Sequence, residues 1–284
     1  MIVGLFAKIF ARPTLEEVFD AVVAQGVRAV QFNFACAGLP SLPDQLDDAV
    51  LQQIREAAST RQLSLAAVSG TCNLIHPDPV QRRAGLQRLK VVCEASPALG
   101  ARVVTLCTGT RDPHDMWRQH PDNITAEAWR DLLESLTQAL GVAESCGVTL
   151  GLEPEVANVI SSAARARRLL DELRSVHLKV VLDPANLFHP GDLGRMRDML
   201  DEAFDLLAPD LVLAHGKELA ANGHAGNLAL GAGVLDWSRY FSLLRRTGFN
   251  GALILHGFEE AAVPTSLSFV RERITPQAVR AGED

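Results

Sequence analysis

The sequence has no CxxC pair, no glycine-rich phosphate loop, no basic patch and no apolar run of membrane-spanning length, and each absence removes a class of protein. Five cysteines, an odd number spread from Cys36 to Cys146, do not make a disulfide framework in a chain of 284 residues. A reducing compartment is expected. With 27 Lys+Arg against 34 Asp+Glu the formal charge is −7, which repels phosphate backbones and anionic membranes. The arginine groups Arg82/Arg83, Arg165/Arg167/Arg168 and Arg245/Arg246 read as solvated helix faces rather than a binding patch. The first residues, MIVGLFAKIFARPTLEE, hold too short an apolar stretch for a signal peptide and no small-residue cleavage site. No later run approaches the ~20 apolar residues of a membrane span. The expectation is a cytoplasmic protein that binds neither nucleic acid nor membrane.

What is present is a globular composition, 48% hydrophobic and 21% charged, arranged as an alternation. Short β-branched runs read as strands at Ile2 to Ile9, Ala29 to Asn33, Ser64 to Ser69, Val103 to Cys107, Val148 to Leu152, Lys179 to Leu182, Leu211 to Ala214 and Ala252 to Leu255. Helical periodicity fills the intervals near Asp44 to Thr60, Pro79 to Ala98, Ser161 to Leu173, Asp192 to Leu207 and Asp236 to Thr247. Thr14 and Glu17 form a capping box that opens the first helix. Thr125 opens another that carries Trp129, Leu132, Leu133, Leu136, Ala139, Leu140 and Ala143 on one face and ends at Gly147. The eighth helix has a weak signal. Strand–helix alternation implies parallel strands with right-handed crossovers, and eight such units close into a (β/α)8 barrel of roughly 250 residues. An open doubly wound sheet is the alternative, but its first turn would be Ala11-Arg12-Pro13-Thr14, without the glycines that a dinucleotide site needs. No repeat or linker divides the chain, so residues 1–284 are read as one domain.

Active sites of such barrels sit at the C-terminal ends of the strands, so the residue that closes each strand is the informative one. Four consecutive strands close on a residue able to bind a metal: Glu153 in LGLEPE, Asp183 in VLDPAN, His215 in LAHGKE and His256 in LILHGFEE. Any one alone has a plainer reading, as a helix cap, an ion-pair partner or a core histidine satisfied by the backbone. Their recurrence at one relative position in four successive units favours convergence on a common ion. Adjacent strands lie ~4.8 Å apart, close enough for their terminal side chains to surround it. Carboxylates and imidazoles without thiolate suit Mn²⁺, Mg²⁺, Co²⁺ or Zn²⁺.

At these residues the sequence resembles the xylose-isomerase-like barrels, a family of sugar phosphate isomerases and epimerases that includes ketose 3-epimerases and, more distantly, endonuclease IV. The resemblance spans nearly the whole chain and implies the TIM-barrel fold. It also implies a divalent metal held by Glu153, Asp183 and His215, with Lys217 and Glu218 completing an HxKD-like motif and ALGAGVLDW matching an LGxGxxDW-like segment. The chain departs from the family at three places. His256 stands where the family has a fourth metal carboxylate, Asn186 where ketose 3-epimerases have a histidine, and Ala221 where they have an arginine. Thr108, where the endonuclease branch carries a histidine, argues against DNA repair.

The expected chemistry is isomerisation or epimerisation of a sugar or sugar phosphate by proton transfer next to a carbonyl, through an enediolate. Glu153 and His256 are the candidate catalytic residues, and both are also candidate ligands with Asp183 and His215. Candidates for substrate contact are Lys217, Arg111, Trp117, His76, Asn186 and Glu155, with His120 and His189 in nearby loops. The long segment from Gly109 to Asn123 is the candidate lid. Two other outcomes stay open: metal-dependent elimination or dehydration of a sugar-derived substrate, and a catalytically impaired barrel serving as a binding subunit. A small sugar-like molecule is the expected partner, and assembly into a homo-oligomer is left open.

Overall fold

A computed structural model describes residues 1–274 of the chain. Eight strands follow one another around a closed barrel: β1 (Ile2–Phe6), β2 (Ala29–Phe32), β3 (Ser64–Ser69), β4 (Val103–Leu106), β5 (Thr149–Leu152), β6 (Leu178–Leu182), β7 (Leu211–Gly216) and β8 (Ala252–Leu255). All neighbouring pairs are parallel, and β8 closes on β1 through the registers Ile2 to Ala252 and Leu5 to Leu255. The crossovers carry α1 (Leu15–Ala24), α2 (Asp48–Ser59), α3 (Pro79–Ala95), α4 (Ala126–Cys146), α5 (Ala163–Leu173), α6 (Met196–Leu207), α7 (Trp237–Arg246) and α8 (Val263–Ile274). The expected TIM barrel is therefore the observed one. The one-domain reading ran on to Asp284, and residues 275–284 lie outside the described residues.

Local chemistry accounts for the helix ends. Thr14 accepts from the Glu17 backbone while the Glu17 carboxylate accepts from the Thr14 N–H, which satisfies two free donors at the start of α1. Asp78 precedes Pro79 at α3, and Thr125 caps α4, which stops at Gly147 in the left-handed conformation. The weakly signalled eighth helix is α8. Its buried residues Val263, Ser266, Leu267 and Val270 keep helical spacing, but Thr265, Ser266 and Ser268 dilute the apolar pattern. The first strand ends at Phe6 rather than Ile9, because a short 3-10 turn takes over at Ala7–Ile9.

Strand periodicity places the functional layer. Side chains of period two alternate between barrel interior and helix layer. Ala67, Val181, Leu213 and Ile254 pack together as an apolar interior cluster. Two residues further along the same segments come Ser69, Asp183, His215 and His256, which form the next layer up, at the C-terminal mouth. The chain thus changes from apolar to polar within one repeat of the pleat, and the ligand-type residues point inward because the residues two before them do. Tyr240 of α7, the only tyrosine in the chain, secures two of these strand ends from outside. It is fully buried, and its hydroxyl lies 2.9 Å from the His215 carbonyl and 3.2 Å from that of Leu182. Tyr240→Phe is expected to cost about 1–2 kcal/mol in denaturant unfolding, because both carbonyls lose this donor.

Candidate active site

Asp183 is the hub of the polar layer. Its Oδ1 accepts from the Ala185 N–H at 3.0 Å and fixes the carboxylate against the turn after β6. Its Oδ2 faces the mouth, 3.0 Å from His256 Nε2, 3.2 Å from Lys217 Nζ and 3.9 Å from His215 Nδ1. One ligand atom each from Asp183, His215 and His256 lie within 4.8 Å of one another. Glu153 stands beside this trio, with Oε2 3.4 Å from His215 Nδ1, and is not part of the mutual group. Asn186 Nδ2 donates to Glu153 Oε1 at 2.6 Å, and Asn186 Oδ1 accepts a short hydrogen bond from Lys217. Lys217, Asn186 and Glu153 therefore form one continuous chain of contacts.

The residue that composition and spacing did not point to is Gln31, in β2. Its amide nitrogen donates to Ser69 Oγ and Thr105 Oγ1, each at 3.1 Å, and its Oε1 lies 2.8 Å from His215 Nε2. With both amide hydrogens committed to hydroxyls, Oε1 accepts from the His215 Nε2–H, which turns Nδ1 toward the site. That Nδ1 is buried and has no hydrogen-bond partner. A signal existed in the sequence: Gln31 is the polar residue of AVQF, a strand buried at all four positions. Gln31→Leu removes the bond that orients the imidazole. It is expected to weaken divalent-metal binding 10- to 100-fold in calorimetric titration, with little change in fold.

Burial acts on every charge in this layer. It raises the Asp183 carboxyl, but Lys217, His256 and His215 outweigh it and hold that carboxyl well below the usual range. Burial likewise opposes ionisation of Glu153, and His215 and Lys217 reverse the sign. Lys217 loses hydration, yet Asp183, Glu153 and Glu155 together keep its ammonium above its ordinary value. Glu155 has only Lys217 and one backbone N–H to offset burial, which pushes its carboxyl up to about 7. His256 is lowered by burial and by His215, against the pull of Asp183, which favours its neutral imidazole.

The layer forms the floor of a cavity of about 410 Å³, lined by Glu153, Glu155, Asn186, His215, Lys217 and His256 together with Lys8, Cys107 and Trp117. Trp117 and Met116 come from the segment after β4 expected to act as a lid. That segment is fastened by three asparagines. Asn73 bonds both backbone groups of Thr110, Asn158 takes the Gly109 N–H and reaches the Met116 carbonyl, and Asn123 accepts from the Arg111 N–H. It is a pinned cover rather than a loose flap. Arg111 and His76, expected at the substrate, are not in the cavity wall. The Arg111 guanidinium is buried against Asp131 of α4 at 2.7 Å, a pairing that a buried cation requires. The His76 ring bonds the Pro113 carbonyl and the Asp78 N–H, which ties two loops together. His120 caps the 3-10 turn at Pro121–Ile124, and His189 lies exposed beyond β6.

Glu218, which follows Lys217 in the HxKD-like motif, holds a loop rather than lining the cavity. Fully buried, its carboxylate accepts from the N–H groups of Leu219, Gly231 and Leu235 and from Trp237 Nε1. It shapes the ALGAGVLDW loop. A Cβ on Gly233 would lie 2.2 Å from the Leu219 carbonyl oxygen and 2.6 Å from Glu218 Oε1, so the loop needs glycine there.

A divalent metal fits this donor set: an orphaned imidazole nitrogen and a second imidazole at the cavity wall converge with a carboxylate oxygen buried just beneath it. The architecture defines a class, a (β/α)8 barrel with a candidate metal centre at the C-terminal face of its strands. Within that class the chain belongs to the xylose isomerase-like TIM barrel family, whose profile matches residues 19–273. The L-ribulose-5-phosphate 3-epimerase UlaE of Shigella flexneri serotype 5b (strain 8401) is 24% identical over 200 residues, 70% of this chain and 64% of its own length. The chain thus spans just under two thirds of that relative. A ketose 3-epimerase of Arthrobacter globiformis is 22% identical over 224 residues, covering 77% of this chain and 72% of its own. The apo structure of the 3-keto-D-glucoside 4-epimerase YcjR from E. coli superposes with a TM-score of 0.75 at 19% identity, over 96% of this chain and 99% of that one, a likeness of fold. Among the described residues, no helix is long and apolar enough to cross a membrane.

Proposed function

We propose that the protein is a divalent-metal-dependent epimerase or isomerase of a sugar or sugar phosphate. The observation that carries this reading is the convergence of Asp183, His215 and His256 around the unpartnered His215 Nδ1. The curated relatives, named as 3-epimerases of a ketose or a ketose phosphate, give the substrate class. Asp183, His215 and His256, with Glu153 beside them, would hold a divalent ion, and that ion would supply the Lewis acidity that makes a C–H next to a carbonyl acidic.

The chain's own residues supply the rest. Glu153, held ionised by His215 and Lys217 and oriented by Asn186, takes the proton at Oε2. The Lys217 ammonium, buried and kept charged by Asp183, lies where it offsets negative charge developing on the substrate oxygen. His256 occupies the position of a second carboxylate and acts as a ligand. Trp117 and Met116 line the cavity and narrow its access to bulk water. Glu155 and Asn186 face the substrate from the rim.

The test is solvent exchange. Metal-loaded protein incubated in D₂O with a panel of ketoses, aldoses and their phosphates is expected to place deuterium on the carbon next to the carbonyl of at least one of them, read by NMR. Absence of label across the panel, from protein shown to be folded and loaded, contradicts the proposal.

A further inference from the structure

The three mutually close ligand atoms are one carboxylate oxygen and two imidazole nitrogens, delivered by the ends of three adjacent strands, β6, β7 and β8. Two features make this a poor cage for a hard cation. The carboxylate oxygen that faces the site, Asp183 Oδ2, already shares its charge with the Lys217 ammonium at 3.2 Å. The other nearby carboxylate, Glu153, has one oxygen engaged by Asn186. Mg²⁺ and Mn²⁺ prefer oxygen ligands, and Mg²⁺ gives up its water reluctantly, so both depend on carboxylate charge that Lys217 here diminishes. Imidazole lone pairs suit borderline ions such as Zn²⁺, Co²⁺ and Fe²⁺.

His215 turns Nδ1, which has no hydrogen-bond partner, toward the site, because Gln31 engages the far nitrogen. His256 directs Nε2 to the same point, where it is hydrogen-bonded to Asp183 Oδ2 at 3.0 Å, its ring edge-on to that of His215 with centroids 4.5 Å apart. Phe6 packs on the edge of the His256 ring, which limits its reorientation.

We propose that this centre selects borderline first-row divalent ions over Mn²⁺ and Mg²⁺, and that His256 is the residue that sets the preference. The inference rests on reading the cluster as a metal centre, not on the epimerase assignment. Wild type, His256→Glu and His256→Gln are dialysed to equilibrium against equimolar Zn²⁺, Co²⁺, Mn²⁺ and Mg²⁺, and the bound ions are counted by mass spectrometry. Zn²⁺ and Co²⁺ outrank Mn²⁺ in most nitrogen and oxygen sites, so the informative quantity is the change between variants. A third carboxylate in His256→Glu is expected to lower the Co:Mn and Zn:Mn ratios at least about 10-fold. Pulsed EPR of Cu²⁺-loaded protein is expected to show two imidazole couplings in wild type and one in His256→Gln, a readout that does not require the glutamate variant to fold well.

Ratios in His256→Glu within about twofold of wild type, or a single imidazole coupling in wild type, overturn the proposal. Failure of wild type to bind any of the four ions overturns the metal-centre reading itself, which separates the two failures.

Discussion

Asp183→Asn is expected to lose metal binding by more than about 100-fold and turnover to below about 1% of wild type, while the fold is retained. The amide keeps an oxygen for the Ala185 N–H, so the turn after β6 survives. What disappears is the charge at Oδ2, the atom on which His256, Lys217 and His215 all converge. Without it Lys217 is left with a more distant counter-charge, and its ammonium competes with an incoming cation instead of being balanced by the carboxylate. Calorimetric titration with Co²⁺ and an activity assay on one preparation check both halves. Wild-type metal affinity in Asp183→Asn would remove Asp183 from the centre.

The second large effect concerns stability. Glu218→Ala is expected to lower unfolding free energy by roughly 3–5 kcal/mol in urea, because three buried N–H groups and the part-buried N–H of Gly231 lose their shared acceptor in one step. Nothing within the protein can replace it, since the carboxylate is fully buried and Gly233 leaves no room for a side chain to turn in. Glu218→Gln keeps one acceptor oxygen but turns an NH₂ group toward donors, and so falls between the variant and wild type. A loss smaller than 1 kcal/mol in Glu218→Ala would mean that water reaches the loop readily. The same substitution is expected to weaken metal binding only through its neighbour Lys217, so stability should move far more than affinity.

Strand-end residues were legible because strand geometry leaves them little freedom. Once Val181, Leu213 and Ile254 face the barrel interior, the pleat turns Asp183, His215 and His256 the same way. The hidden parts of the site are those made by contacts across the barrel. Gln31 meets His215 from 184 positions away, and its hydroxyl partners Ser69 and Thr105 come from two further strands. Nothing local marks such partners except a polar residue in an otherwise apolar strand. Arg111 was misplaced for a related reason. It was expected to contact substrate, but Asp131 on α4 offers a buried counter-charge that only the packed structure brings within reach. Glu218 shows the converse: a motif position next to a site residue whose work is to hold a loop.

A metal centre at Asp183, His215 and His256 underlies the proposed chemistry. Its most direct test is the stoichiometry of metal bound to wild type and to Asp183→Asn after dialysis against a borderline divalent ion and removal of excess. About one ion per wild-type chain and almost none in the variant is the expected result. Equal and negligible metal in both proteins would contradict it.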